Sequence, residues 1–178
     1  MKNPARLLRR SLPSVNGPGN VIRDTWDRMH KIPGGKRLFS RFLGMMVPYT
    51  GSISARIEHL SIGKSEVTME DRSRLRNHLK SVHAVALVNL AELAGNLAVV
   101  YSMPDDARFI VAGLEIEYLK KARGTITARC SVDPPKTSER QEYFVPVEMF
   151  DSSGETVATA KLRTLVGPKN QKSNSSTS

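Results

Sequence analysis

Several residue types that mark common protein classes are scarce in this chain of 178 residues. It has a single cysteine, Cys130, which excludes an intrachain disulfide and a multi-cysteine metal site but leaves a thiol nucleophile open. The four histidines show no paired metal-ligand spacing, so we expect no metal. One cysteine is compatible with a reducing compartment, and we therefore expect a cytoplasmic location.

Acidic residues are also few relative to basic ones. The chain has 27 lysines and arginines against 17 acids, a formal net charge of +10. Such a charge favours polyanionic partners, namely nucleic acids, anionic membrane surfaces and phosphate-bearing ligands. Only 6% of the residues are aromatic, and neither basic–aromatic interleaving nor zinc-finger spacing occurs. We therefore expect no nucleic-acid partner.

The distribution of apolar residues predicts one folded domain between two polar ends. Residues 1–19 are basic and then rich in proline and glycine, which predicts a flexible arm and linker. This arm could make weak contact with a membrane surface, and an organellar presequence is a minor alternative. Residues 20–166 hold the hydrophobic core, and residues 167–178 form a polar tail that we expect to be disordered.

Periodicity places helices first and strands later. Apolar residues recur at helical spacing over residues 20–30 and 36–46, which predicts two short leading helices. The runs SISARIEHLSIG and SEVTMED alternate around Gly63, as in a hairpin with one buried side. After Pro104 four further runs alternate, with KARG (121–124) as a compact turn between the first two. In the first run we expect one buried face, formed by Ile110, Ala112, Leu114, Ile116 and Tyr118.

The longest apolar stretch, residues 76–103, carries a carboxylate near its middle. Ser81 is placed to act as the N-cap of a helix, and Asn89, Glu92 and Asn96 lie within about 60° of one another on its surface. A central Glu92 would be costly in a bilayer. We therefore expect a buried helix wrapped by the antiparallel strands, an α+β architecture.

The element order and the residues of this stretch resemble the hotdog fold, and specifically the PaaI-like acyl-CoA thioesterases and their relatives of unknown function. Asn77 precedes His83 by six positions and Glu92 by fifteen, the spacing of that family's Asn, His-Gly and helix carboxylate. The segments EYLKKARG and DSSGETVATAKLRT also match. The resemblance covers about residues 50–166.

The resemblance implies an acyl-CoA thioesterase with a site shared between subunits. The backbone N–H of Ala84 would polarise the thioester carbonyl, and Asn77 would hold the thioester or the attacking water, unless it only caps its own turn. Glu92 would act as general base or nucleophile; the alternative is a buried structural carboxylate paired across a dimer interface. His83 is expected to be an orienting or core histidine before a catalytic one. The carboxylate and the carbonyl-binding loop would come from different subunits of a homodimer or a dimer of dimers.

The same resemblance implies a CoA thioester as substrate and no separate cofactor. Lys120, Lys121 and Arg123 would contact the CoA phosphates, unless they form an ordinary solvated turn. Three positions depart from the family: Ala84 stands where it usually has glycine, Glu92 where Asp is commoner, and Val111 where a Ser or Thr often assists the carboxylate. A non-catalytic acyl-CoA or lipid-binding module is therefore the alternative. The His-Phe-Pro-Gly and Asp–His signatures of hotdog dehydratases do not occur.

Overall fold

The computed structural model describes residues 19–169 of the chain. The leading segment forms three short helices: α1 (Val21–Met29), α2 (Gly35–Met46) and α3 (Pro48–Gly51). The long helix is α4 (Ala84–Ser102). The six strands are β1 (Arg56–Ser61), β2 (Lys64–Met69), β3 (Ala107–Tyr118), β4 (Ile126–Ser131), β5 (Gln141–Phe150) and β6 (Thr156–Pro168).

The predicted elements are confirmed with small shifts in their ends. The two longer leading helices and the hairpin about Gly63 are present, and Gly63 has the positive φ of 69° that such a turn requires. The one-turn helix α3 was not predicted. Strand β6 continues to Pro168, beyond the predicted domain boundary at residue 166. The predicted arm, apart from its last residue, and the tail from residue 170 onward lie outside the described residues.

All six strands form one antiparallel sheet in the order β1-β2-β4-β5-β6-β3. Helix α4 contacts every strand of it, and its sheet-facing residues Leu90, Ala91, Ala94 and Ala98 are fully buried. Among the described residues α4 is the one helix long and apolar enough to span a membrane, yet 67% of that window is buried inside the fold. The chain therefore has the predicted hotdog architecture, with α4 as its core helix.

A close approach of α4 to the sheet depends on Gly95. A Cβ at this position would lie 2.8 Å from a methyl carbon of Leu162 and 3.3 Å from one of Val145. Glycine therefore lets the helix backbone rest directly on β5 and β6. This approach sets the depth at which the neighbouring residues of α4 lie.

The predicted succession of β3 and β4 across a compact turn is wrong. In the described part of the chain, strand β3 pairs only with β6, along its whole length, and lies at the opposite edge of the sheet from β1. Residues 119–125 therefore cross the end of the sheet to reach β4. Alternation along a strand shows which face is buried, but it does not show which strand is the neighbour.

The predicted buried face of β3 is also wrong in its first half. A β-bulge lies between Val111 and Gly113, and a bulge shifts the alternation by one residue. As a result Phe109 and Val111 turn inward before the bulge, and Ile110 is 65% exposed. Tyr118 is exposed as well.

Two buried hydroxyls of the sheet predict opposite effects on stability. Thr164 is fully buried and its Oγ1 has no hydrogen-bond partner, whereas the Oγ of buried Ser65 donates to the carbonyl of Ala94 at 2.6 Å. Thr164→Val should raise the free energy of unfolding by about 1–2 kcal/mol, and Ser65→Ala should lower it by about the same amount. Urea denaturation of both variants tests this, and a loss of stability in Thr164→Val would contradict it.

Candidate active site

Helix α4 begins at a histidine cap rather than at the predicted Ser81. The N-cap is His83, which has extended backbone angles and accepts a hydrogen bond from the Val85 N–H at its Nδ1, over 3.1 Å. The preceding residue, Val82, forms an antiparallel bridge with Arg76, and its N–H donates to the Ala122 carbonyl at 2.8 Å. His83 is exposed, so the expectation of a core histidine is wrong. Its structural role is to cap the helix.

One N–H of the first turn of α4 remains available. The Val85 N–H is held by His83 Nδ1, and the N–H groups of Ala86 and Leu87 both donate to the His83 carbonyl, at 2.9 and 3.2 Å. Within residues 19–169 the N–H of Ala84 has no acceptor. A helix N-terminus carries about half a positive charge. Ala84 therefore presents a free donor at an electropositive point, where an oxygen that becomes anionic can be stabilised.

The Asn77 side chain caps the loop before α4. Its Oδ1 accepts hydrogen bonds from the N–H of Leu79 at 2.9 Å and from both the N–H and the hydroxyl of Ser81. This is the turn-capping geometry that was the alternative to a binding role. The Nδ2 donor is the part of Asn77 that these bonds leave available to a ligand.

A cavity of about 320 Å³ brings several predicted residues together at this end of α4. Asn77, Ala84, Lys120 and Lys121 all line it. Lys120 forms an ion pair with Glu155 at 2.7 Å, whereas Lys121 is exposed. This end of the helix thus combines a free backbone donor with an amide and two ammonium groups.

Asp71 joins the two loops around this cavity, and the sequence did not indicate its importance. Its side chain is 8% exposed, and it accepts from Arg76 Nε at 2.7 Å and from the Gly124 N–H at 3.1 Å. The hydrogen bond from Arg76 holds the pKa of Asp71 below its usual range against the opposing effect of burial, helped by Gly124 and by the charge of Arg123. Asp71 therefore fixes the Asn77 loop to the turn that carries the lysines. Arg123 contributes to the charge at Asp71 and does not line the cavity.

The pKa of Asp71 predicts a defined acid dependence of stability. A folded pKa below the unfolded value of about 3.9 stabilises the protein above that pH, and the stabilisation is lost as pH falls towards the lowered pKa. Asp71→Asn should therefore cost about 1–2 kcal/mol above pH 5, with the difference from the unmodified protein shrinking towards pH 3. Urea titrations across this range test it, with exposed Asp133→Asn as control. A difference that does not change with pH would contradict the assignment.

Glu92 lies away from this cavity. It is eight residues after Ala84 on the same helix, about 12 Å along the axis. It is exposed, and within the described part of the chain it makes no hydrogen bond or ion pair. The alternative of a buried structural carboxylate is therefore not supported within one chain. A single subunit does not bring Glu92 together with Asn77 and Ala84.

The predicted polar stripe of α4 divides into two parts with different roles. Asn89 is buried, and its Nδ2 donates to the Tyr49 carbonyl at 3.1 Å, which fastens helix α3 to α4. Asn96 lines the same cavity as Glu92, and its Oδ1 is buried without a hydrogen-bond partner. Asn89 is thus structural, while Glu92 and Asn96 border an open space.

Two other expectations concern single side chains. Cys130 is buried, and this burial raises the pKa of its thiol to about 12, which disfavours the thiolate that a nucleophilic cysteine requires. Val111 lies on the inner side of β3, and its register partner on β6 is Thr164, whose hydroxyl is free. Sequence reasoning missed Thr164, because cross-strand register is not visible in the chain.

Among the described residues no group of His, Cys, Asp or Glu could hold a metal ion.

Residues 35–166 match the model of the family described as "Domain of unknown function (DUF4442)". The chain belongs to this family. The matched segment begins at the start of α2 and includes the whole sheet except its last two residues. None of the curated proteins matches the chain in sequence.

Solved structures share the fold of this DUF4442 protein. A structural-genomics crystal structure is 30% identical, with a TM-score of 0.71, over 83% of this chain and 98% of that one. A thioesterase family protein from Silicibacter pomeroyi is 20% identical, with a TM-score of 0.63, over 72% and 96%. The E. coli PaaI protein of the phenylacetic acid degradation operon is 19% identical, with a TM-score of 0.56, over 71% and 92%. The recognition of a PaaI-like hotdog fold is confirmed.

Proposed function

We propose that this DUF4442 protein, which has the thioesterase hotdog fold, hydrolyses acyl-CoA to a free acid and CoA. The observation that carries the proposal is the free N–H of Ala84 at the positive end of α4, opening on a cavity. A thioester oxygen placed there becomes anionic when the carbonyl is attacked, and a preorganised N–H then stabilises it. Glu92 takes a proton from water, the water oxygen bonds to the carbonyl carbon, the C–S bond breaks, and the CoA sulfur receives the proton. Direct attack by Glu92 is the other route.

The proposed active unit is a homodimer or a dimer of dimers. Ala84 and Glu92 are about 12 Å apart along one helix, too far for both to act on one thioester. In a dimer with two-fold symmetry, Glu92 of one subunit would lie near the Ala84 N–H of the other, which gives two equivalent sites. Among residues 19–169 no strand pairs with the outer edge of the 12-residue strand β3, on which exposed Ile110 lies. Such an edge readily pairs with another copy.

The same proposal assigns the basic turn to the CoA moiety. Lys120 and Lys121 line the cavity beside Ala84, and Arg123 follows on the same turn, so their charges suit the CoA phosphates. The proposed reaction uses two reactants, the CoA thioester and water, and no separate cofactor. Hydrolysis of acyl-CoA would place the protein in lipid metabolism. Its cytoplasmic location stays a prediction.

Release of free CoA from a panel of acyl-CoA esters tests the function. A thiol reagent can report the release, because the chain's own thiol, Cys130, is buried with its pKa raised to about 12. We expect protein-dependent release from at least one acyl-CoA. Release no faster than in protein-free buffer across the panel would contradict a thioesterase.

The second candidate is a non-catalytic acyl-CoA or lipid-binding module. Val111 supports it, since an apolar side chain faces inward where related enzymes often have a hydroxyl. Tight binding of acyl-CoA without CoA release over hours would favour this module over the thioesterase.

A further inference from the structure

The cavity beside Glu92 lies between α4 and the leading helices. It has a volume of about 140 Å³. Glu92, Asn96 and Val100 follow one another at intervals of four residues along its α4 side, and they extend over about 12 Å of the axis. The facing wall comes from α1, the α2–α3 region and β3, through Ile22, Leu43, Val47, Thr50 and Phe109.

This cavity is polar at one end and apolar at the other. Glu92 and Asn96 are one turn apart at the polar end, and the Oδ1 of Asn96 lacks a protein partner. A buried amide oxygen without a hydrogen-bond partner is unusual in a folded protein and calls for an explanation. Towards Val100 the lining is entirely apolar. The arrangement suits a ligand with a polar head at Glu92 and an apolar tail.

The helices that cover the cavity are fastened to α4 by buried amides. Asn20, the N-cap of α1, donates from Nδ2 to the Val100 carbonyl. At the other end Asn89 holds the Tyr49 carbonyl of α3. The cover is therefore attached near both ends of the cavity, which makes the space preformed rather than dependent on closure.

A larger groove of about 650 Å³ adjoins this cavity and shares Leu43, Thr50 and Leu93 with it. It runs between α2, the segment after it and β1, and Met45 at its rim is 63% exposed. Glu92 does not line this groove. The space next to the carboxylate is thus the smaller cavity.

We propose that α1–α3 and α4 form the acyl pocket of the enzyme, selective for short straight-chain acyl thioesters of about six carbons. The cavity of about 140 Å³ is close to the volume of about 150 Å³ that holds one six-carbon benzene molecule, and its lining extends along α4 rather than around one point. The thioester lies at Glu92, and the chain runs along α4 towards Leu97 and Val100, beneath Ile22. This inference rests on the proposed function and adds its substrate class. The leading helices, which precede the sheet and form no part of it, thereby determine chain length.

Two tryptophan substitutions test the pocket. Val47 lines the small cavity and is 41% exposed, whereas Met45 lines only the outer groove. Val47→Trp should fill the cavity and lower kcat/KM for hexanoyl-CoA by at least about tenfold, with acetyl-CoA changed less than about twofold. Met45→Trp is the matched control and should change neither. Because both side chains are substantially exposed, we expect both variants to fold, which thermal unfolding checks.

The possible results distinguish a failure of the acyl-pocket proposal from a failure of the proposed function. Loss of hexanoyl-CoA turnover in Met45→Trp but not in Val47→Trp would place the chain in the outer groove and overturn the proposal. Preference of the unmodified protein for phenylacetyl-CoA or decanoyl-CoA over hexanoyl-CoA would overturn the short straight-chain class. If the unmodified protein released no CoA, the proposed function would fail. Calorimetric titration with hexanoyl-CoA would then still test the pocket, since weaker binding by Val47→Trp alone supports it and equal binding by all three proteins overturns it.

Discussion

Glu92→Gln should lower kcat for acyl-CoA hydrolysis by about 10²–10⁴-fold, the usual contribution of a positioned general base. The substitution keeps the shape of the side chain and removes its ability to accept a proton. Glu92 is exposed and bonds to no described residue, so the change removes no structural contact. Binding of substrate should therefore be retained, with the loss confined to kcat.

Steady-state kinetics with hexanoyl-CoA and thermal unfolding measure the two parts of this result. Glu148→Gln is the control, because Glu148 is an exposed carboxylate on β5 that lines neither cavity. Glu148→Gln should leave kcat unchanged. Turnover by Glu92→Gln at the rate of the unmodified protein would remove Glu92 from the mechanism and favour the binding module.

Ala84→Pro should reduce kcat by about 10²–10³-fold, the usual effect of losing one oxyanion donor. Proline removes the backbone N–H and nothing else that the structure uses. Ala84 is the first residue of α4, a position where proline is favoured in helices, and its N–H has no partner within residues 19–169. The preceding residue, His83, already has the extended backbone that a following proline requires, with ψ of 139°.

The matched control for this substitution is Ala84→Gly, which changes the same residue but keeps its backbone N–H. We expect Ala84→Gly to retain most activity and Ala84→Pro to unfold at a temperature close to that of the unmodified protein. Full activity in Ala84→Pro would show that the N–H does not polarise the thioester. A large fall in unfolding temperature would instead show that the helix start had been disturbed.

The two variants together test whether the site is shared between subunits. Refolding Glu92→Gln with Ala84→Pro in equal amounts should restore about one quarter of the normal activity, because half of the dimers are mixed and each has one intact site. The separate variants are inactive controls. If both residues acted within one chain, every site in the mixture would carry a defect and no activity would return.

Local periodicity predicted most of the fold. The leading helices, the hairpin at Gly63 and the long helix were visible because apolar spacing along a segment follows from the geometry of that segment alone. The position of β3 was not visible, since its partner β6 lies about 50 residues later and pairing depends on both strands. The bulge at Val111 likewise has no signal in the alternation that it interrupts.

The sequence predicted which residues belong to the candidate site better than it predicted how they are arranged. The spacing of Asn77, Ala84 and Glu92 directed attention to residues that do line cavities. The bonds that give them their roles were not predicted. The His83 cap leaves only Ala84 with a free N–H, and Asp71 holds the Asn77 loop through Arg76 and Gly124.

The sequence by itself determined that a long apolar helix with a carboxylate would be wrapped by antiparallel strands, because such a helix can face neither water nor lipid at low cost. Only the tertiary structure decided that Glu92 faces outward beside an apolar cavity and stands apart from the Ala84 N–H. The reason is geometric: the side chain's environment is set by α1–α3, β3 and the free edge of the sheet, which approach α4 from distant parts of the chain.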